Sequence, residues 1–195
     1  MNESTFILKD INQYLVFISQ VKNLSENTTK SYERDLRKLS VFIKELKISN
    51  YSDISPEICS AWIGNLYNQN NNPKSIQRHL SSAKGFFRFL KKNNLVDSSP
   101  FELITAPKSP NTLPEVLSPE NVEQLLNFKP TNLIEIRDLA IVELMYSSGL
   151  RVSETVNINL SDFEDNMSFL RIFGKGSKTR LVPLGRFAIN AIKNW

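Results

Sequence analysis

Five prolines divide this chain of 195 residues into two parts. They stand at positions 100, 107, 110, 114 and 119. Proline fixes φ and has no N–H to donate, so the stretch that contains them cannot form one continuous helix or a central strand. We therefore expect an extended connector at 96–117 that joins a first domain at 1–95 to a second domain at 118–195.

The composition excludes several classes of protein. The chain is 41% hydrophobic, enough for one substantial core or two modest ones, but it has no apolar run long enough to span a membrane. Its first residues do not have the pattern of a signal peptide. A single cysteine, Cys59, fits a reducing compartment, so we expect a cytoplasmic protein. With His79 as the only histidine and no cysteine cluster, we expect neither a metal nor another cofactor.

Positive charge is concentrated in the first half of the chain. Residues 1–95 hold 14 Lys and Arg against 8 Asp and Glu, whereas residues 96–195 hold 10 against 12. The overall net charge of +4 conceals this difference. A basic first half favours a polyanionic partner such as nucleic acid, although an ordinary solvated surface with a lysine excess would give the same count.

The periodicity before the connector is helical throughout, which predicts a small all-helical bundle. In the last of these segments, apolar residues from Ile76 to Leu90 are spaced by alternating steps of four and three and so share one face. A second set follows the same spacing on another face and is largely basic. Such a stripe either faces water or lies against a DNA backbone. The candidate DNA-binding residues are Lys74, Arg78, Lys84, Arg88 and Lys91. His79 lies beside this stripe and is interpreted as a helix-surface residue.

The second part combines helices with a β-hairpin. Ser118 precedes Pro119 in the order typical of an N-cap and first helical residue. A buried helix that includes Tyr146 as a core residue is expected to end at Gly149, and Ser153 is expected to cap the next helix. Two β-rich runs joined by the sequence GKGSK then predict a hairpin, followed by a final helix.

The sequence GKGSKT is not a phosphate-binding Walker A loop. With Gly174 and Lys175 as the required Gly-Lys pair, Phe169 stands where the first glycine is needed and Gly176 where Ser or Thr is needed. The loop also joins two strands, whereas a Walker A loop joins a strand to a helix. Nucleotide binding is therefore not expected.

The order GLRVSE followed by GKGSKTRLVPLG closely resembles the tyrosine site-specific recombinases, also called the phage integrase family, and within it the Xer branch, most of all the XerC group. The resemblance covers essentially the whole chain. It implies a mainly α fold, in which an orthogonal helical bundle (the SAM-like core-binding domain) precedes a mixed α+β catalytic domain with a β-hairpin, here incomplete. It also implies double-stranded DNA at a recombination site as partner, and a second Xer recombinase in a heterotetramer.

The same resemblance implies roles for individual residues. Arg151 corresponds to the first catalytic arginine, Lys175 to the general acid on the hairpin turn, and Glu154 to an accessory residue that braces the arginine. The chemistry agrees with these roles. A guanidinium offers paired donors to the charge that develops on a phosphodiester, and an ammonium can protonate the departing 5′-oxygen. A structural Arg151–Glu154 pair remains the alternative.

The family's later catalytic residues, including the nucleophilic tyrosine, have no counterpart after Lys175. The five tyrosines all precede it, so no nucleophile is assigned in this chain. Three hypotheses remain open. The chain is a truncated Xer-type recombinase of the kind that resolves chromosome dimers; or it is an inactive DNA-binding fragment or remnant; or it is a helical scaffold without a DNA role, which would leave the spacing of Arg151 and Lys175 as coincidence.

Overall fold

A computed structural model describes residues 5–105, 116–174 and 179–195, with the side chains of residues 5 and 6 excepted. The described residues form two compact units, one of residues 5–105 and one of residues 116–174 and 179–195. The prediction of a mainly helical protein with a β-hairpin is confirmed.

The first unit is a bundle of four helices. They are α1 (Thr5–Gln20), α2 (Glu26–Glu45), α3 (Pro56–Asn68) and α4 (Pro73–Lys92), with a short 3-10 turn at Tyr51–Asp53. Side chains cap three of the helix starts, because the oxygens of Ser25, Ser55 and Asn72 accept backbone N–H groups of the first turn. Proline occupies the first position of α3 and α4, where its missing N–H costs nothing.

Aromatic rings dominate the core of the first unit. Trp62, Phe86, Phe87 and Phe101 are each at most 2% exposed. Phe101 contacts both Trp62 and Phe87, with ring centroids 5.8 and 5.2 Å apart. The start of the expected connector therefore packs against this core, and the predicted boundary at residue 95 remains a prediction.

His79 is buried, and its interpretation as a surface residue was wrong. It is 2% exposed and meets the ring of Trp62 edge-on at 5.8 Å between centroids. Its position three residues after Ile76 places it on the apolar face of α4, so the helical periodicity already contained the signal. Burial lowers the pKa of His79, an effect that the nearby carboxylate of Asp35 opposes.

The second unit combines short helices with a three-stranded sheet. Its helices are α5 (Pro119–Leu126), α6 (Leu133–Ser148), α7 (Val152–Thr155) and α8 (Arg186–Asn194), with a 3-10 turn at Leu160–Asp162. Strands β1 (Phe163–Glu164), β2 (Phe169–Phe173) and β3 (Thr179–Pro183) pair antiparallel in the order β1-β2-β3. The predicted hairpin corresponds to β2 and β3, while the short strand β1 was not anticipated.

The core of the second unit lies between α6, α8 and one face of the sheet. It consists of a few buried side chains: Leu144, Leu150, Leu170, Ile172 and Leu184. Helix α6 was expected to be buried, yet Ala140 and Leu144 are its only buried residues. Tyr146 is 63% exposed, so its assignment to the core was wrong. That side of α6 lines a cleft together with residues of α5 and α8.

Candidate active site

A helix end and a helix start place Arg151. Helix α6 stops at Gly149, which has φ 60° and ψ 35°, a left-handed conformation that glycine adopts without steric cost. Leu150 then inserts into the core and is 6% exposed. Arg151 follows with an extended backbone and is the N-cap of α7, so the prediction that Ser153 caps this helix was wrong. The side chain of Arg151 is 77% exposed.

Glu154 contacts Arg151 through both backbone and side chain. The backbone N–H of Arg151 donates to Oε2 of Glu154 at 2.9 Å, and its Nη1 donates to Oε1 at 3.2 Å. The first contact is half of a capping box, because the carboxylate reaches back from the third helical position to the N-cap. The bracing role predicted for Glu154 is consistent with this geometry, and so is the structural pair that was its alternative.

A second arginine, which the sequence analysis did not identify, completes the cluster. Arg180 on β3 donates from Nη1 and Nη2 to the two oxygens of Glu154, each at 3.0 Å. The side chain of Glu154 is 8% exposed, whereas that of Arg180 is 42% exposed. These bonds from Arg180, followed by the backbone N–H of Arg151, lower the pKa of Glu154 to about 2. Glu154 is therefore fully ionised at neutral pH.

The register of the sheet explains how Arg180 reaches Glu154. Arg180 lies directly opposite Ile172, and opposed residues of an antiparallel pair place their side chains on the same face. Ile172 is 2% exposed on the inner face of the sheet. The stem of Arg180 therefore leaves the sheet on the side of its core. Lys175, the predicted general acid, lies outside the described residues, so its distance to Arg151 remains a prediction.

The candidate DNA-binding residues of the first unit lie along α4 but differ in their surroundings. Lys74, Arg88 and Lys91 are exposed, and Lys84 is half-buried with Nζ donating to the carbonyl of Glu102 at 3.2 Å. Arg78 differs most, since Nε and Nη2 form a two-pronged contact with the carboxylate of buried Asp35, at 2.8 and 2.9 Å.

Among residues 5–105, 116–174 and 179–195, no group of three or more His, Cys, Asp or Glu side chains is arranged to hold a metal ion. In the same part of the chain, no helix combines the length and apolar character needed to cross a membrane.

Comparison with solved structures agrees with the fold. XerH recombinase, in a post-cleavage complex with a palindromic difH substrate, matches with a TM-score of 0.69 at 20% identity, over 95% of this chain and 56% of that one. Lambda integrase, as a tetramer bound to a Holliday junction, matches with a TM-score of 0.72 at 16% identity, over 95% and 55%. At these identities the likeness concerns the fold alone.

Sequence comparison identifies the family. XerD tyrosine recombinases of Staphylococcus haemolyticus and Oceanobacillus iheyensis are 37% and 35% identical to this chain over 95% of its length. The chain spans 63% of the length of each of these relatives. Because these relatives are XerD proteins, the expected closer resemblance to the XerC group remains a prediction. The profile of the Phage integrase N-terminal SAM-like domain matches residues 11–94, and that of the Phage integrase family matches residues 115–195. The chain belongs to the phage integrase family, the tyrosine site-specific recombinases.

Proposed function

We propose that this chain is part of a Xer-type recombinase that binds double-stranded DNA at a recombination site and uses Arg151 to hold the phosphate that is cut. The observation that carries this proposal is the exposed guanidinium of Arg151, fixed at a helix start and braced by the ionised carboxylate of Glu154. The relatives named above are tyrosine recombinases, and two of the structural neighbours are bound to DNA.

The chemistry assigned to Arg151 follows from its charge and shape. A phosphodiester under attack gathers negative charge on its non-bridging oxygens, and a guanidinium offers parallel, permanently charged donors to them. Donors already oriented before the reaction lower the barrier more than donors that must reorganise. Lys175 would protonate the departing 5′-oxygen, which would otherwise leave as a strongly basic alkoxide.

DNA is proposed to lie against the basic face of α4 in the first unit. Lys74, Arg88 and Lys91 are exposed there and can contact phosphates. Arg78 can take part while still paired, because 41% of its side chain remains exposed beside Asp35. Contacts of this kind fix position on the duplex without reading its sequence.

We further propose that the 195 residues by themselves bind DNA without cutting it. Burial raises the pKa of Tyr14 to about 12, and burial with a hydrogen bond to Asp10 raises that of Tyr51, which disfavours the phenolate form of both. Tyr146 lines a cleft with residues of α5 and α8, whereas Glu154 lines a separate hollow. We also propose that the protein acts in the cytoplasm, where it resolves chromosome dimers together with a second Xer recombinase.

The test is binding of this chain to a fluorescent duplex at several salt concentrations. We expect the logarithm of the association constant to fall linearly with the logarithm of salt, by about 0.9 for each phosphate neutralised. Replacing Arg88 by Ala should reduce that slope by about 1. Lys9→Ala, at an exposed lysine of α1, is the matched control and should leave the slope nearly unchanged.

The same samples, run on a denaturing gel with a nicked suicide substrate, test the second part of the proposal. We expect no covalent protein–DNA adduct. Binding that is absent or independent of salt would refute the proposed DNA-binding role. A covalent adduct would refute the proposal that this chain binds without cutting.

A further inference from the structure

The carboxylate of Glu154 joins two parts of the second unit that are distant in sequence. It accepts from the backbone and side chain of Arg151, which begins α7, and from both terminal nitrogens of Arg180 on β3, 26 residues later. The guanidinium of Arg180 is a planar fork that matches the two oxygens of this carboxylate. The Arg180–Glu154 pair therefore has a fixed geometry as well as a net attraction. The contact therefore attaches the hairpin strand β3 to the start of α7.

The two arginines share this carboxylate unequally. Arg180 commits Nη1 and Nη2 to Glu154, whereas Arg151 commits Nη1 of a side chain that is 77% exposed. The guanidinium of Arg151 therefore still has N–H donors to offer to a ligand that approaches from solvent. Direct binding of the same ligand by the terminal nitrogens of Arg180 would require breaking its bonds to Glu154.

We propose that Arg180 is a positioning residue, which through Glu154 fixes the orientation of the Arg151 guanidinium and holds β3 at the start of α7. The inference rests on the proposed function, because it takes Arg151 as the residue that binds phosphate. Arg180 acts through another side chain and is not assigned a contact with the reacting atoms.

The titration of Glu154 supports this arrangement. Its pKa lies near 2, below the ordinary value of 4.5, with the side chain of Arg180 as the largest cause. A depressed carboxylate pKa stabilises the folded state above the unfolded value, here above about 4.5, and this stabilisation is lost as the pH falls towards 2. The carboxylate of Glu154 is therefore ionised, and able to accept from both arginines, throughout the neutral range.

The test compares Arg180→Gln, Arg180→Lys and a matched control, Arg171→Gln, by NMR of the full chain. Arg171 suits as control because it is an arginine of the same sheet, 45% exposed, that pairs with Glu164 and not with Glu154. The Nε–Hε signal of Arg151, assigned by its loss in Arg151→Lys, is followed during titration with inorganic phosphate. The pKa of Glu154 is measured from the chemical shift of its carboxyl carbon. Hydrogen exchange is measured at the backbone amides of β2 and β3.

We expect phosphate to bind at Arg151 at least about fivefold more weakly in Arg180→Gln than in the wild type, with Arg171→Gln unchanged. The pKa of Glu154 should rise towards 4.5, and amides at the Arg180 end of β3 should exchange faster. Arg180→Lys should recover part of each effect, because an ammonium restores the charge without the planar fork.

The outcomes separate this inference from the function on which it rests. If Arg180→Gln bound phosphate at Arg151 as well as the wild type does, or left the pKa of Glu154 in place, the positioning role would be wrong while Arg151 remained the phosphate ligand. Equal weakening in Arg171→Gln would also overturn it, since the effect would then be general to the sheet. If the wild-type Arg151 signal responded to neither phosphate nor duplex DNA, both the inference and the proposed role of Arg151 would fall.

Discussion

At the scale of single residues, buried Asp35 fixes one side chain of the basic face, that of Arg78. Its side chain is 1% exposed and it holds Arg78 through two bonds, with Nδ1 of His79 3.2 Å away but not oriented to donate. Fixing a guanidinium in this way removes side-chain freedom that DNA binding would otherwise have to remove. The carboxylate thus links the stability of the first unit to its proposed contact with DNA.

Replacing Asp35 by Asn should destabilise the first unit by about 2 kcal/mol, because hydrogen bonds to charged groups contribute about 1.5–3 kcal/mol and Arg78 is left beside a neutral amide. The exposure of Arg78, 41%, keeps the loss below that for a wholly buried pair. Urea unfolding measures it. Glu33→Gln is the control, since it removes an exposed pair with Arg37 on the same helix and should cost about 0.3 kcal/mol. Equal losses in the two variants would contradict this account of Asp35.

Arg180 and Lys175 show where sequence reasoning about the site stops. The motif that contains Arg151 and Glu154 lies within one short segment, and the predicted contact between these two residues was found. Arg180 stands in the same quoted sequence as Lys175, but its role depends on the register that places it opposite Ile172. Register follows from turn geometry and inward packing, and neither can be read from the letters GKGSKTR alone.

At the scale of elements, the residues next to a helix end predicted that end more reliably than an apolar sequence predicted burial, although the cap expected at Ser153 lies at Arg151. Ser118 caps α5 and Gly149 ends α6 as expected, because caps and left-handed positions depend on a few adjacent residues. The burial of α6 was overestimated, because an apolar sequence does not specify which neighbour covers it. Tyr146 and Leu133 are the clearest cases, at 63% and 76% exposed.

Gly149 offers a test of how the turn before Arg151 is built. Replacing it by Ala should destabilise the second unit by about 1 kcal/mol, because a side chain at φ 60° is strained even though nothing lies within 4 Å of the added atom. Gly64→Ala in the middle of α3 is the matched control, again with open space, and should stabilise the first unit by about 0.5–1 kcal/mol. Thermal unfolding measures both. Effects of the same sign would show that backbone conformation does not govern Gly149.

At the scale of the whole molecule, the two units differ in what holds them together. The first has an aromatic core around Trp62, Phe86, Phe87 and Phe101, each almost fully buried. In the second, the buried cluster consists of leucines and one isoleucine, while Phe173, Phe187 and Trp195 are each more than 60% exposed. Burial of several large aromatic side chains stabilises a folded unit more than burial of a few aliphatic ones, because this stabilisation scales with the apolar area that is buried.

The second unit should therefore open more readily than the first. In hydrogen exchange followed by mass spectrometry, we expect peptides from 116–174 and 179–195 to exchange faster than those from α2, α3 and α4, because local opening is easiest where few apolar contacts are lost. Leu170→Ala should speed exchange in the second unit alone, by removing a fully buried side chain worth about 2–5 kcal/mol. Phe87→Ala is the counterpart, and should act on the first unit alone. Equal protection of the two units in the wild type would mean that the second has a more complete core than its buried side chains indicate. If Leu170→Ala or Phe87→Ala also sped exchange in the other unit, the two units would unfold as one.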